Sequence, residues 1–308
     1  MASTQVNTYF AKGIREGLTE TVADLFADDV PFFAMAEKIK CINTKHEWQT
    51  DVLAAPSTTG IVEGASITYV QPATRTRVSN NTHIRLRNWD VTFTQMAVEV
   101  AGIKDQVARE MMKAMKALLT DYDKIFLNTG TNTAASTSGI RKAKGIQAAI
   151  VTNTGRGSSA SGAVKQALTE SKVNTLLQNI WSKGGDPRAI FCHGYQKRVI
   201  SQNFTAKTGF SFRIEASART AINNINKYEG SFGTVDVIPD RQHLVQRLTI
   251  VTPDHIKVAV LRDIQQYKGA PTASSIKGWV EAEMTLQWGN EKAHAKQSQL
   301  KTALVVGV

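Results

Sequence analysis

Residues 61–97 constrain this chain most, because they favour strands yet carry few side chains to bury. Ile67-Thr68-Tyr69-Val70 lead outward and residues 84–94 lead back, both rich in β-branched and aromatic types. The pattern predicts a long β-hairpin with its tip at Ser79-Asn80-Asn81-Thr82, side chains that favour turns. Arg75, Arg77, Arg85 and Arg87 lie along it. A two-stranded ribbon by itself is marginal in water. It is therefore expected to lie on its own body or on another copy of the chain, and the second alternative points to an assembly protein.

Within this hairpin Ile84 and Leu86 are even-numbered, whereas Trp89, Val91 and Phe93 are odd-numbered. Strand side chains alternate faces, so the apolar face is expected to switch near Arg87-Asn88. Either a bulge does this, or tip and base bury opposite faces. A loop centred on Asn81 sets Arg77 opposite Arg85 and Arg75 opposite Arg87. Like charges facing each other repel, so that register needs carboxylates from elsewhere. A loop one residue longer or shorter moves each pair onto opposite faces.

A strong amphipathic helix is expected over residues 98–127. Ile103, Val107, Met111, Met115, Leu118, Tyr122 and Ile125 form its apolar stripe, with Lys104, Asp105, Arg109, Lys113, Lys116 and Lys124 off it. Asn128-Thr129-Gly130 reads as a left-handed cap. Some thirty residues would span about 45 Å, the length of a spine. Ahead of the ribbon, Leu18, Val22, Leu25 and Phe26 have helical spacing, which Pro31 ends. Phe32, Phe33 and Met35 follow as an apolar knot. This arm either docks on its own core or seeks a partner surface.

Residues 130–162 are rich in Gly, Ser, Thr and Ala and read as loops with short strands, one over 146–151. A regular α/β region follows. A helix over 173–181 stops at Gly184-Gly185, a second runs over 195–204, and strands are expected at 189–192, 235–238, 248–251, 256–261 and 279–288.

The net charge of +11 is uneven: residues 1–51 hold five Lys/Arg against eight Asp/Glu, and residues 129–308 hold twenty-three against eleven. Between Asp123 and Glu170 there is no acidic residue. Such polarity fits a nucleic-acid surface, an acidic arm meeting a basic surface on the next subunit, or ordinary mild basicity. No run reaches the roughly eighteen apolar residues of a membrane span. The N-terminal residues lack the charged and apolar regions of a secretion signal. Cys41 and Cys192 give no disulfide framework, so a soluble protein of a reducing cytoplasm is expected.

Catalytic patterns are missing. His46-Glu47-Trp48-Gln49-Thr50 lacks the second histidine of a zinc helix, and the six histidines lie singly. Cys192-His193 are neighbours at a strand end, where side chains point apart. Glycine-rich phosphate loops and the nucleophile elbow are absent. Glu281 and Glu283 read as a solvated or salt-bridged strand edge.

Taken in order, an acidic arm, a long ribbon, a spine helix, an α/β region and return strands resemble the major capsid (major head) protein family of tailed bacteriophages. Five segments carry the likeness: His46-Glu47-Trp48-Gln49-Thr50-Asp51; Glu63-Gly64; Trp181 with Gly184-Gly185-Asp186-Pro187; Tyr228-Glu229-Gly230-Ser231-Phe232-Gly233; and Asn290-Glu291-Lys292-Ala293-His294-Ala295. They cover nearly the whole chain. The resemblance implies an α+β capsid fold: arm 1–55, extended hairpin loop 56–97, spine-helix peripheral domain 98–139, axial domain 140–267 and return strands 268–308. It implies a shell subunit, not an enzyme, without cofactor or metal, that self-assembles into hexamers and pentamers. The icosahedral head would enclose double-stranded DNA without sequence specificity, as a virion capsid assembled in the host cytoplasm. Portal, scaffolding or decoration proteins are further implied partners, a membrane is not, and scaffolding would be a separate protein. Leu18, Val22, Phe32, Phe33, Arg75, Arg77, Arg85 and Arg87 are the expected interface residues. Some members cross-link a loop lysine to a neighbour's asparagine, but no lysine lies between Lys45 and Lys104 here, so contacts should be non-covalent. A basic nucleic-acid-binding oligomer, a nanocompartment shell of the same fold, and an enzyme of unlisted mechanism are the alternatives.

Overall fold

Thr82 is a corner rather than a hairpin tip. The computed structural model describes residues 29–67, 69, 74–100, 102–134, 139–156, 165–207, 225–271 and 273–302. Its elements run α1 (Pro31–Met35), β1 (Glu37–Lys40), β2 (Lys45–Thr50), β3 (Thr76–Asn81), β4 (His83–Thr92), α2 (Phe93–Ala97) and α3 (Gln106–Asn128). They continue with α4 (Ile146–Ala149), β5 (Thr154–Arg156), α5 (Glu170–Trp181), β6 (Ala189–Cys192), α6 (Gly194–Lys207), β7 (Lys227–Gly230) and β8 (Gly233–Pro239). β9 (Leu248–Val251), β10 (Lys257–Lys268), β11 (Ser275–Gln287) and β12 (Ala295–Ser298) complete the described chain.

The expected hairpin over 61–97 is not formed. β3 pairs with β2, placing Trp48 opposite Val78, and β4 pairs with β11, placing Trp89 opposite Gly278. One residue between β3 and β4 is too short for the two-residue hairpin turn. Instead Thr82 gives its N–H to Thr44 O and its hydroxyl to Glu283 Oε1 at 2.6 Å, and the chain passes from one sheet to another. No arginine faces an arginine across a ladder: Arg77 sits opposite Gln49 and Arg85 opposite Ala282.

Nor does the apolar face of β4 switch. His83, Arg85, Arg87, Trp89 and Val91 all lie on the more buried side, and Ile84 and Leu86 face outward. The arginines sit on that side because Asp121 of α3 meets both of them.

Three sheets result, in the orders β1-β10-β11-β4, β5-β12-β9-β6-β8-β7 and β2-β3. α3 packs on the first of these. Leu118, Tyr122, Phe126 and Leu127 meet Val280, Ala282, Met284 and Leu286 of β11 in one core. Glu281 and Glu283 belong to this central strand, not to an edge. A second core joins α5 (Val173, Leu176, Leu177, Ile180) to Ile190, Val235, Val237, Leu248 and Ile250 of the six-stranded sheet. β6 and β9 are buried along their whole length, as central strands covered on both faces must be.

The spine is shorter than its periodicity. Gly102 takes φ +75, and Asp105 then starts α3 as its N-cap, its Oδ1 accepting from Val107 N and Ala108 N. At 23 residues α3 spans about 35 Å. It ends through an extended Thr129 (φ −63, ψ 125), not a left-handed cap. Gly145 closes that end: a Cβ there would lie 2.7 Å from Ile125 O, so no larger residue fits. Residues 146–149, expected in a strand, form the helical turn α4 because Ile146, Ala149 and Ile150 bury one helical face. Pro31 opens the helical turn α1 at its N-terminus, where a missing N–H costs nothing.

Candidate subunit interface

The ribbon β2–β3 is anchored at its base. Trp48 Nε1 donates to Gly289 O at 2.8 Å, and its ring meets Trp288 edge-on at 4.9 Å. His46 Nε2 and Gln287 Oε1 are 2.7 Å apart. Asn80 is wholly enclosed: its amide gives to Leu286 O and Lys144 O, and its Oδ1 takes the Lys144 N–H. The sequence folds this way because β2 and β3 turn Trp48 and Val78 toward the body core.

Beyond that base the support ends. Every described residue from 51 to 75 is exposed, including Val52, Leu53 at 95%, Ile61, Val62, Ile67 and Tyr69 at 90%. Beside the β2–β3 ladder, the ribbon's own ion pairs are solvated ones: Arg77 with Glu47 and Arg75 with Asp51, each at 3.4 Å, and Lys45 with Glu47 at 2.7 Å. Solvated pairs of this kind contribute about 0–1 kcal/mol. Six large apolar side chains on one unsupported strap are the composition of a surface that another molecule covers.

The remaining expected interface residues divide. Arg85 and Arg87 form a fork on Asp121: Arg85 Nε lies 2.7 Å from Oδ2, and Arg87 Nη2 lies 2.6 Å from Oδ1. Their charge is met inside the chain. Phe32 and Phe33, expected at an interface, are instead in the chain's own core: Phe32 is 0% exposed and T-shaped to Phe191, and Phe33 stacks on Phe126 at 6.2 Å. Docking of residues 31–35 onto α3 accounts for this, and puts both rings in the same core as Phe126 and Phe191. Leu18 and Val22 lie outside the described residues.

A second ionic cluster joins the ribbon corner to the sheet. Glu283, 4% exposed, accepts from Thr82 and from Arg141 Nη2 at 2.6 Å and pairs with Arg262 Nε at 3.1 Å; Arg262 also meets Glu281. Sequence reasoning missed Asp121 as a counter-ion and, although it allowed Glu283 a salt bridge, missed its partners Arg141 and Arg262, since nothing local marks distant partners. It also missed β2 as the ribbon's second strand. The alternation of Lys45-His46-Glu47-Trp48-Gln49-Thr50 was the available signal.

Cys192 is buried, and desolvation pushes its thiol up to about 12, far from a reactive thiolate. His243 and His294 are lowered to about 4 by burial, which keeps them neutral. No group of three metal-ligating side chains occurs among the described residues. An open cavity of about 520 Å³ is lined by Gln147, Thr154, Arg247, Lys296 and Ser298 among others, and neither those histidines nor Cys192 line it.

The profile of the SU10 major capsid protein family matches residues 2–301. No curated protein matches the chain. Among solved structures, the cyanophage A-1(L) capsid asymmetric unit superimposes with a TM-score of 0.69 at 11% identity, covering 93% of this chain and 97% of that one. The capsid of the native GTA particle gives 0.64 at 10% identity, covering 96% and 97%. The holo-SrpI encapsulin complex from Synechococcus elongatus PCC 7942 gives 0.61 at 9% identity, covering 95% of each chain. At these identities the likeness shows the fold, which is that of phage capsid subunits.

Proposed function

The chain belongs to the SU10 major capsid protein family, and on that premise we propose that this phage major capsid protein closes an icosahedral head around double-stranded DNA by non-covalent contacts alone. The observation that carries the reading is the strap over 51–75, with its exposed Leu53, Ile61, Val62, Ile67 and Tyr69. Burying roughly 100 Å² on each of these side chains would yield about 2 kcal/mol apiece before ordering costs. Repeated over many copies, such modest contacts hold a shell and still permit correction of misplaced subunits. The arm ahead of residue 29, with Leu18 and Val22, is assigned a second contact, and Arg75 and Arg77 sit where a neighbour's carboxylates would replace their weak internal pairs.

Electron microscopy of the expressed chain tests this. Regular shells are expected from the full chain. A variant with residues 52–69 replaced by a short Gly/Ser linker should stay folded, with unchanged circular dichroism, and form none. Shells from the linker variant, or only small species from the full chain, would overturn the reading. Shells filled with protein and free of nucleic acid would favour the nanocompartment. Small oligomers that lose nucleic acid as salt rises would favour the basic binding protein.

A further inference from the structure

Two acids meet at the joint between the cores. Asp123 of α3 is 0% exposed, and Asp240, just past β8, is 1% exposed. Asp123 Oδ1 accepts the Phe33 N–H at 2.8 Å, which ties α1 to the spine. The Asp240 N–H donates to Cys192 O at 2.8 Å, and its Oδ1 accepts from Gln242 N at 2.7 Å, which ties the same point to the six-stranded sheet. Asn128, one turn further along α3, gives its amide to Gln242 O at 2.6 Å. The Oδ2 atoms of Asp123 and Asp240 meet no donor, although the two carboxyls are within hydrogen-bonding reach of each other. With both carboxylates ionised, the Phe33 and Phe32 N–H groups would favour the charge on Asp123 and the Gln242 N–H that on Asp240, but the two Oδ2 atoms would still repel with no proton between them. One proton between them makes the contact a bond.

We propose that Asp123 and Asp240 share a single proton, and that this proton latches α1 and the six-stranded sheet to the spine helix, so that rising pH loosens the joint. Among the described residues no cation offsets the pair. α1 has no ionisable side chain, and Lys38 beyond it lies over the Phe33 ring. On α3, Lys124 is exposed and Asp121 is held by Arg85 and Arg87. Arg241 faces Asp29 at 3.4 Å, and Lys197 donates to Asn226 Oδ1 and Val237 O. The other titratable neighbours, Cys192 and His243, are buried and neutral. Among the described residues no third metal-ligating side chain joins the pair.

Burial first, and then the Asp240 charge, raise Asp123 to about 8. The sign follows from linkage. The unfolded carboxyl releases its proton near about 4, and the folded pair holds one until about 8. The latch is fully present below the lower value, declines between the two, and is gone above the upper. The inference rests on the chain's own packing and stands apart from the shell reading.

The experiment compares thermal unfolding of wild type, Asp123→Asn and Asp240→Asn from pH 5 to 9. In Asp123→Asn the amide donates permanently to Asp240 while its oxygen keeps the Phe33 N–H. Wild type should lose about 5 °C more than either variant between pH 6 and 9. Parallel profiles, or variants less stable at every pH, would overturn the proposal, as would a wild-type midpoint lowered by chelator, which would indicate a bridging cation. If the variants do not fold, infrared difference spectra of wild type decide. A protonated-carboxyl band present at pH 6 and lost by pH 9.5 is expected, and its absence at pH 6 overturns the assignment.

Discussion

Asp121 shows how a single side chain resolves a charge pattern that looked repulsive. Arg85 and Arg87 occupy the same side of β4, and both reach this carboxylate. Asp121→Asn leaves two adjacent guanidiniums without a counter-ion, at a cost of about 1–2 kcal/mol, limited because both arginines are near 40% exposed. The midpoint should drop by a few degrees in low salt and by less at about 1 M, where screening weakens the repulsion. Leu118 is a purely apolar counterpart at 0% exposure, and Leu118→Ala should cost about 2–5 kcal/mol regardless of salt. Gly278 lies directly opposite Trp89, and a Cβ there would come within 2.3 Å of the indole. Gly278→Val should therefore displace the ring, read as a shift in tryptophan emission with a loss above about 2 kcal/mol.

At the scale of elements, α3 depends on its first turn. Asp105→Ala removes the acceptor for two backbone N–H groups and should lower stability by about 1 kcal/mol, with amide exchange rising over residues 106–110 and unchanged near 122–127. Local periodicity made α3, α5, α6, β6 and β8 to β11 legible, since each carries its own burial pattern, whereas β7 was not foreseen. The ribbon was not legible, because pairing is a long-range property. His46 meets Asn80 across a 34-residue separation, and no local pattern in residues 76–92 says that β3 and β4 part at Thr82. The switch inferred from Ile84 and Leu86 failed for a related reason. Arginine on the inward face is as acceptable as leucine once a carboxylate stands across from it. Of the residues expected at an interface, Arg75 and Arg77 are exposed, whereas Phe32 and Phe33 turned inward because a phenylalanine pair reads the same whether its partner is another copy or its own spine.

For the whole molecule, the absence of lysine from 46 to 103 leaves that stretch without an amine through which copies could be cross-linked. Particles boiled in detergent should yield a single band at 33.7 kDa, and a ladder of covalent multimers would contradict non-covalent closure. The passage through Thr82 has a mechanical corollary. With one residue between a strand of the ribbon and a strand of the body, there is no slack in which a tug could dissipate. A load applied to β3 therefore turns the first rung of β4 as well, and reaches Glu283 through the Thr82 hydroxyl.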